Sequence, residues 1–387
     1  MSLKWSKQLS NNSFVNSVAI SPNGNHVVTG TYYFPYPGTT RRNTHGRYAT
    51  YCFDQQGNQL WKDEYEGNEG VYALAISGDS RVAAAGGLYS GGSGAPPQIP
   101  DRALLRAFNV ANGSLLLDYT TISTRVSSVA LSQDGSVLAA VDLVGGLYVF
   151  VGSAAGFPVQ PSRPFFPTAR RLYSVAVHGN GQWLAACGDR GRVHLLTISQ
   201  QGNISQPFTW IAPDRVPFLS VAIANTGDFF VVGGGNVVYL FTRSSMIAGT
   251  GPVARFNTPN GGTPQDVRWV AISGDGSLVS AVQNMGRDET GLLLTLSNTG
   301  GALNSKWQQP LDHNPNSTSI DTAGQYVTAA DGHPVGTPGK FYLFNASNGT
   351  KLWDYSTNNM NWPMAICGNG TAAAAGSDNG TLYYFLP

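Results

Sequence analysis

A chain of 387 residues has room for two or three domains or for one large β-architecture. Only 12% of the residues are charged, about half the usual share, while 47 Gly and 22 Pro point to many short strands joined by many turns. A 42% hydrophobic share with 11% aromatics excludes disorder as a description of the whole chain, and a net charge of +1 argues against gripping nucleic acid or an anionic membrane.

The opening Met-Ser-Leu-Lys-Trp carries no hydrophobic signal segment, and no later apolar run approaches the roughly 20 residues that cross a bilayer. From residue 18 onward one template recurs: apolar-x-Ser-Val-Ala-Ile-Ser, a turn, then a second apolar run. Its copies contain Val18-Ala19-Ile20, Leu74-Ala75-Ile76, Val129-Ala130-Leu131, Val175-Ala176-Val177, Val221-Ala222-Ile223, Val270-Ala271-Ile272, Thr318-Ser319-Ile320 and Met364-Ala365-Ile366. Measured on the third residue of each triplet, the steps are 56, 55, 46, 46, 49, 48 and 46 residues, a period that suits a four-stranded unit.

Within a unit, the first strand ends in a turn such as Ser21-Pro22-Asn23-Gly24. A small-residue strand such as Val82-Ala83-Ala84-Ala85 follows, then a third strand rich in aromatic and β-branched residues, as in Val238-Tyr239-Leu240-Phe241. A fourth strand begins after Gly57, Gly113 or Gly349. Eight such antiparallel sheets, none able to bury both faces alone, pack most simply around an axis as an all-β, eight-bladed β-propeller of four-stranded blades. The eighth copy reaches Pro387 with three strands. Leu3-Lys4-Trp5 matches Gln59-Leu60-Trp61, and Trp5 precedes Val15 by 10 residues as Trp61 precedes Val71, so the N-terminal strand is expected to close the ring. Residues 1–387 then form one domain. Residues 1–10 supply the outer strand of the last blade, and the blades span about 11–67, 68–121, 122–168, 169–213, 214–262, 263–312, 313–358 and 359–387.

The residues also carry a resemblance. The chain looks like the WD-repeat and quinoprotein-like β-propellers. The stretches from Tyr51 to Trp61 and from Leu343 to Trp353 are similar to the tryptophan-docking motif of the eight-bladed quinoproteins, and Ala107 to Leu117 keeps that motif's Ala and Gly113. The Gly-His and Trp-Asp signatures of strict WD repeats are mostly absent. A quinoprotein resemblance implies a pyrroloquinoline quinone with calcium, a vicinal cysteine pair, a Trp floor and clustered acidic ligands. Cys52, Cys187 and Cys367 lie far apart, each in an apolar run that reads as a buried strand, so no cofactor is expected.

Two places vary while the template stays constant. Four positions before the Ile20-type residue stand Asn16, Tyr72, Ser127, Tyr173, Leu219, Arg268, Asn316 and Trp362, near one mouth of the central channel in a propeller; they read either as a ligand-contacting ring or as channel plugs. The connections between second and third strands, which open on the same face, are lengthened in four units. They carry Tyr36, Arg41, Arg42, His45 and Arg47, then Tyr89, Asp101 and Arg102, then Arg287, Asp288 and Glu289, then His333. Loops on a rigid scaffold are where binding resides, although lengthening a loop costs little. An Asp in most first turns, including Asp79, Asp134, Asp228 and Asp275, reads as turn chemistry rather than metal ligation.

These features together predict a non-catalytic binding or scaffold propeller, with a partner on the long-loop face. The favoured partner is a protein; a glycan or small molecule is the alternative. An enzyme at the channel mouth, quinoprotein-like oxidoreductase or hydrolase, is the runner-up, and the sensing part of a longer signalling or surface chain is a third reading. The expected state is a monomer without nucleic acid or a membrane span. Six Lys against 17 Arg, with abundant Asn, Ser and Thr, lean toward a periplasmic or secreted compartment if a leader has been removed.

Overall fold

Each repeat folds as its composition dictates: a channel-side strand, a mostly buried small-residue strand, an aromatic strand and a largely exposed outer strand. In the third repeat these are Val126–Leu131, Val137–Asp142, Leu147–Val151 and Arg163–Phe165, all antiparallel. The computed structural model describes the chain apart from residues 10–12, 34–45, 68, 92–98, 123, 154–155, 162, 166–169, 200–201, 260–265, 286–289, 333–337 and 387. Six sheets are four-stranded, and one eight-stranded sheet holds the first two repeats, because Tyr32 pairs with Gly70 across the blade boundary. Eight blades result.

The last blade consists of Asn361–Ile366, Ala373–Ser377 and Thr381–Leu386, and Ser2–Gln8 adds the fourth strand by antiparallel pairing from Ser2 with Leu386 to Gln8 with Thr381. The expectation of a ring closed by the N-terminal strand is met.

No single core fills the molecule. Eight apolar clusters form instead, one at each junction between neighbouring blades. The closing junction packs Val27, Ala49, Tyr51 and Phe53 of the first blade against Cys367, Ala372, Ala374, Leu382 and Tyr384 of the eighth. The small residues of the second strands make these junctions tight. A Cβ added at Gly30 would stand 2.5 Å from Val71, and one at Gly376 would stand 2.1 Å from Val15. All three cysteines are fully buried and free, and burial pushes the Cys52 thiol up to about 12.

Tryptophans from outer strands lock three of the junctions from the rim. Trp5 reaches over Gly57 and donates to the Gln55 carbonyl at 3.0 Å; Trp61 covers Gly113 and donates to Val110 at 2.7 Å; Trp307 covers Gly349 and donates to Ala346 at 2.9 Å. Gly57, Gly113 and Gly349 have φ of 84°, 72° and 73°, so absence of a side chain serves both the turn and the ring seated on it. Trp353 has no such seat. The third and fourth strands of the eighth blade are not joined by a turn, and Trp353 packs edge-on against Phe385 instead, 4.6 Å between centroids.

Candidate binding face at the channel mouth

The residues four before the Ile20-type position share a local geometry that alternation alone does not reveal. The pairing between channel-side and second strands shifts register between Val15 and Ser17, Val71 and Ala73, Val126 and Ser128, Leu172 and Ser174, Val267 and Trp269, Pro315 and Ser317, and Asn361 and Met364. Each shift leaves a bulged residue, and a bulge re-aims its side chain. Val15 pairs with Thr31, close to where the second strand ends, so the bulges lie on the face where second and third strands are joined.

A cavity of about 360 Å³ opens there, bordered by all eight channel-side strands. Asn16, Tyr72, Ser127, Tyr173, Leu219, Asn316 and Trp362 line it, as the variable-ring reading expects. Arg268 does not. Its guanidinium turns back to the Asn284 side-chain oxygen, with Nε at 2.9 Å and Nη2 at 3.1 Å in the amide orientation that satisfies both groups. Trp269 takes its place in the wall, 49% exposed, because the bulge in this blade turns the next residue toward the axis. Sequence reasoning missed Trp269; the only signal was an aromatic where the other copies carry Ser, Ala or Pro.

The loop candidates divide differently. Arg102 is described and exposed, but it borders a separate cleft with Glu64, Glu66, Tyr89, Arg106 and Asp118 between the first two blades. The correction has a simple cause: Arg102 pairs with Tyr89 in a long hairpin that carries it away from the axis. In that cleft Arg106 is held between Asp63 at 2.8 Å and Asp118 at 3.0 Å. Tyr36, Arg41, Arg42, His45, Arg287, Asp288 and His333 lie outside the described residues.

Polar partners order the mouth. Tyr72 donates to Glu69 at 2.6 Å, and the Arg125 guanidinium sits 4.4 Å from the centre of the Tyr72 ring. Tyr173 donates to Asp189 at 2.8 Å, while Asn16 and Asn316 donate to the Val71 and Asn361 carbonyls of the neighbouring blades. Just below, a serine hydroxyl stitches one channel-side strand to the next: Ser17 to Val71, Ser128 to Val175, Ser174 to Val221, Ser220 to Val270 and Ser317 to Trp362 and Met364. The Ser found at this position in five copies is thus a junction residue. At the opposite face, Asp79, Asp134 and Asp275 accept from Ser77, Ser132 and Ser273 and cap their own turns, as expected; Asp228 is exposed and its side chain shows no such bond.

Asp378 lies behind Trp362. Burial pushes its carboxyl up to about 7, only partly offset by a hydrogen bond from Trp362, and its Oδ1 has no hydrogen-bond partner. A folded pKa above the unfolded one means that the folded state keeps a proton the unfolded chain has released, so stability is lost as pH rises through about 7. Thermal melts are therefore expected to show a higher Tm at pH 6.5 than at pH 8.5, and Asp378→Asn should flatten this interval. His194 acts the other way at lower pH. Burial holds its imidazole down to about 4, so stability that it contributes is lost on acidification below about 6.5. A wild-type Tm unchanged between pH 6.5 and 8.5 would contradict the Asp378 assignment.

The family model described as WD domain, G-beta repeat matches residues 4–32 and 166–195. No curated protein matches the chain in sequence. Among solved structures, the chain is similar to Chaetomium thermophilum Sqt1 bound to the N-terminus of the ribosomal protein L10, with TM-score 0.73, 14% identity, and coverage of 99% of this chain and 98% of that one. It is also similar to the β-propeller domain of Myceliophteria thermophila Cps50 (Swd1), with TM-score 0.59, 10% identity and coverage of 82% and 97%. A chain of the mitotic checkpoint complex gives TM-score 0.59, 12% identity and coverage of 84% and 88%. Two segments of the chain thus match the WD repeat, and its fold is that of the WD-repeat β-propellers.

Proposed function

We propose that the protein is a non-catalytic scaffold whose ring acts as one unit, as a monomer, and binds a protein partner on the face where second and third strands are joined. The observation that carries this reading is the open mouth itself. Trp269 and Trp362 stand 49% and 36% exposed in its wall, on a ring closed by its own N-terminal strand. Large aromatics held exposed on a rigid frame are a cost unless a partner covers them, and Trp and Tyr dominate the energetics of such contacts. The similar propellers are binding proteins in their own right: Sqt1 was solved with the N-terminus of L10, and another neighbour is part of the mitotic checkpoint complex.

The quinone implied by the docking motif does not fit these residues. The chain has no vicinal cysteine pair, and among the described residues no group of three or more His, Cys, Asp or Glu side chains gathers to hold a metal. The docking tryptophans join blades rather than form a floor.

A photo-crosslinking residue placed at Val144, in the second-to-third-strand turn of the third blade and 50% exposed, is expected to capture the partner from an extract of the source organism. The same group at Asp134, on the opposite face, is expected to capture nothing. Trp269→Ala with Trp362→Ala should reduce capture at least tenfold with little change in Tm. Capture from position 134 alone would overturn the assignment of the face.

A further inference from the structure

The channel wall alternates with blade number. Even blades place Tyr72, Tyr173, Trp269 and Trp362 in the cavity; odd blades place Asn16, Ser127, Leu219 and Asn316. The opposite face repeats the alternation. The first turn holds Gly78, Gly179, Gly274 and Gly368 in even blades, and Pro22, Gln133, Asn225 and Thr322 in odd ones. Each of these glycines is covered by the next odd blade. A Cβ at Gly78 would stand 2.2 Å from Gln133, one at Gly274 2.5 Å from Thr322, one at Gly179 3.0 Å from Asn225 and one at Gly368 3.2 Å from Pro22. The ring thus alternates in composition from blade to blade, and its mouth carries four aromatics, one on every second blade.

These aromatics share a second property. Tyr72 donates to Glu69 and Tyr173 to Asp189, so two of the four have a carboxylate on their polar edge, while Trp362 donates to the Asp378 carboxyl, which carries charge only above about pH 7. A donor bonded to a carboxylate loses positive charge to it and leaves its ring more electron-rich. Among the described residues no Lys, Arg, Asp or Glu lines the cavity itself. Among the described residues no ring contact joins any two of the four, so they border the space without filling it. One of the rings already accepts a cation, the guanidinium of Arg125, at 4.4 Å. The other rim guanidiniums near these rings are engaged as well: Arg268 on Asn284 and Arg171 on the Tyr173 hydroxyl.

We propose that the channel mouth is a cation-accepting vestibule and that the partner presents an arginine or lysine side chain to it. The proposal rests on the reading of this face as the partner-binding surface. A neutral group could bury the rings but would gain little from the carboxylates behind them, and an anion would meet their negative faces. The Asn and Ser side chains of the odd blades leave hydrogen-bonding groups between the rings for the peptide that carries the cation.

The test is calorimetric titration of the full chain with acetyl-Gly-Arg-Gly-amide and with the same peptide carrying citrulline, the uncharged isostere of arginine. The arginine peptide is expected to bind at least tenfold more tightly. Glu69→Gln with Asp189→Asn and Asp378→Asn should reduce that ratio at least threefold while leaving citrulline binding unchanged, a readout that a merely structural role would not move. If the triple variant fails to fold, Glu69→Gln alone is expected to lower the ratio in the same direction. Equal affinity for the two peptides, or binding of neither at millimolar concentration, would overturn the proposal. The crosslinking at positions 144 and 134 separates the failures. A partner captured at 144 with no preference for arginine removes only the cation, whereas capture at 134 alone removes both readings.

Discussion

Removal of Ser2–Gln8 is expected to lower the Tm by at least about 5 °C and to make the eighth blade the first site of proteolysis. The deleted strand pairs with Thr381–Leu386 along its length, and Trp5 both stacks on Tyr384, 5.0 Å between centroids, and docks over Gly57 of the first blade. Without it, the edge of Thr381–Leu386 is unpaired and the closing cluster around Tyr51, Phe53 and Tyr384 opens to water. The scale follows from size. A chain of this length has an unfolding entropy near 0.8 kcal/mol/K, so each 1 kcal/mol lost shifts Tm by only about 1 °C. A fall of 5 °C thus reports a strand and a docked indole, not a single bond. Differential scanning calorimetry with limited trypsin digestion measures both effects, and an unchanged melt would show that the ring holds without its closing strand.

Trp61→Ala is expected to be the most costly single substitution at a blade junction, about 3–5 kcal/mol. The indole is buried, stacks on Phe108 at 5.0 Å, sits on Gly113 and satisfies the Val110 carbonyl at 2.7 Å. Truncation leaves a large void between two blades and the Val110 carbonyl with only the weak Cys52 thiol donor at 3.8 Å. Trp61→Phe keeps one aromatic ring and loses the hydrogen bond together with the smaller ring of the indole, so its cost should be about 1–3 kcal/mol. Trp353→Ala should fall below Trp61→Ala, since Trp353 has neither a glycine seat nor a carbonyl partner among the described contacts. Denaturant melts of the three variants rank them. Equal losses for Trp61→Ala and Trp353→Ala would mean that docking over glycine adds nothing to simple burial.

The fold was legible because each copy repeats its own physical requirements. Ser, Asp or Asn and Gly recur where a first turn must cap itself, as Ser273 and Asp275 do. Alanines and glycines recur where second strands meet the next blade, as at Gly30 against Val71. Trp5 could be matched to Trp61 because both serve the same docking geometry. The site was legible only in part. Counting four positions back from Ile20 found the cavity-lining residue in seven copies out of eight, and in the sixth it found Arg268 where Trp269 faces the channel. Which of two adjacent residues a bulge turns inward depends on the partner each side chain finds, and Arg268 found Asn284.

By itself, then, the sequence determined the architecture of this protein: eight repeats, four strands to each, the small residues at the junctions and the ring closure from the N-terminus. These follow from local periodicity and turn chemistry, which are written in neighbouring residues. Only the tertiary structure decided that all eight channel-side strands border one cavity, that Arg102 belongs to a different cleft, and that Glu69, Asp189 and Asp378 stand behind the aromatics of the mouth. Residues as distant as Asn16 and Trp362 become neighbours when the ring closes, and no pattern in a single repeat encodes what the other seven bring to the axis.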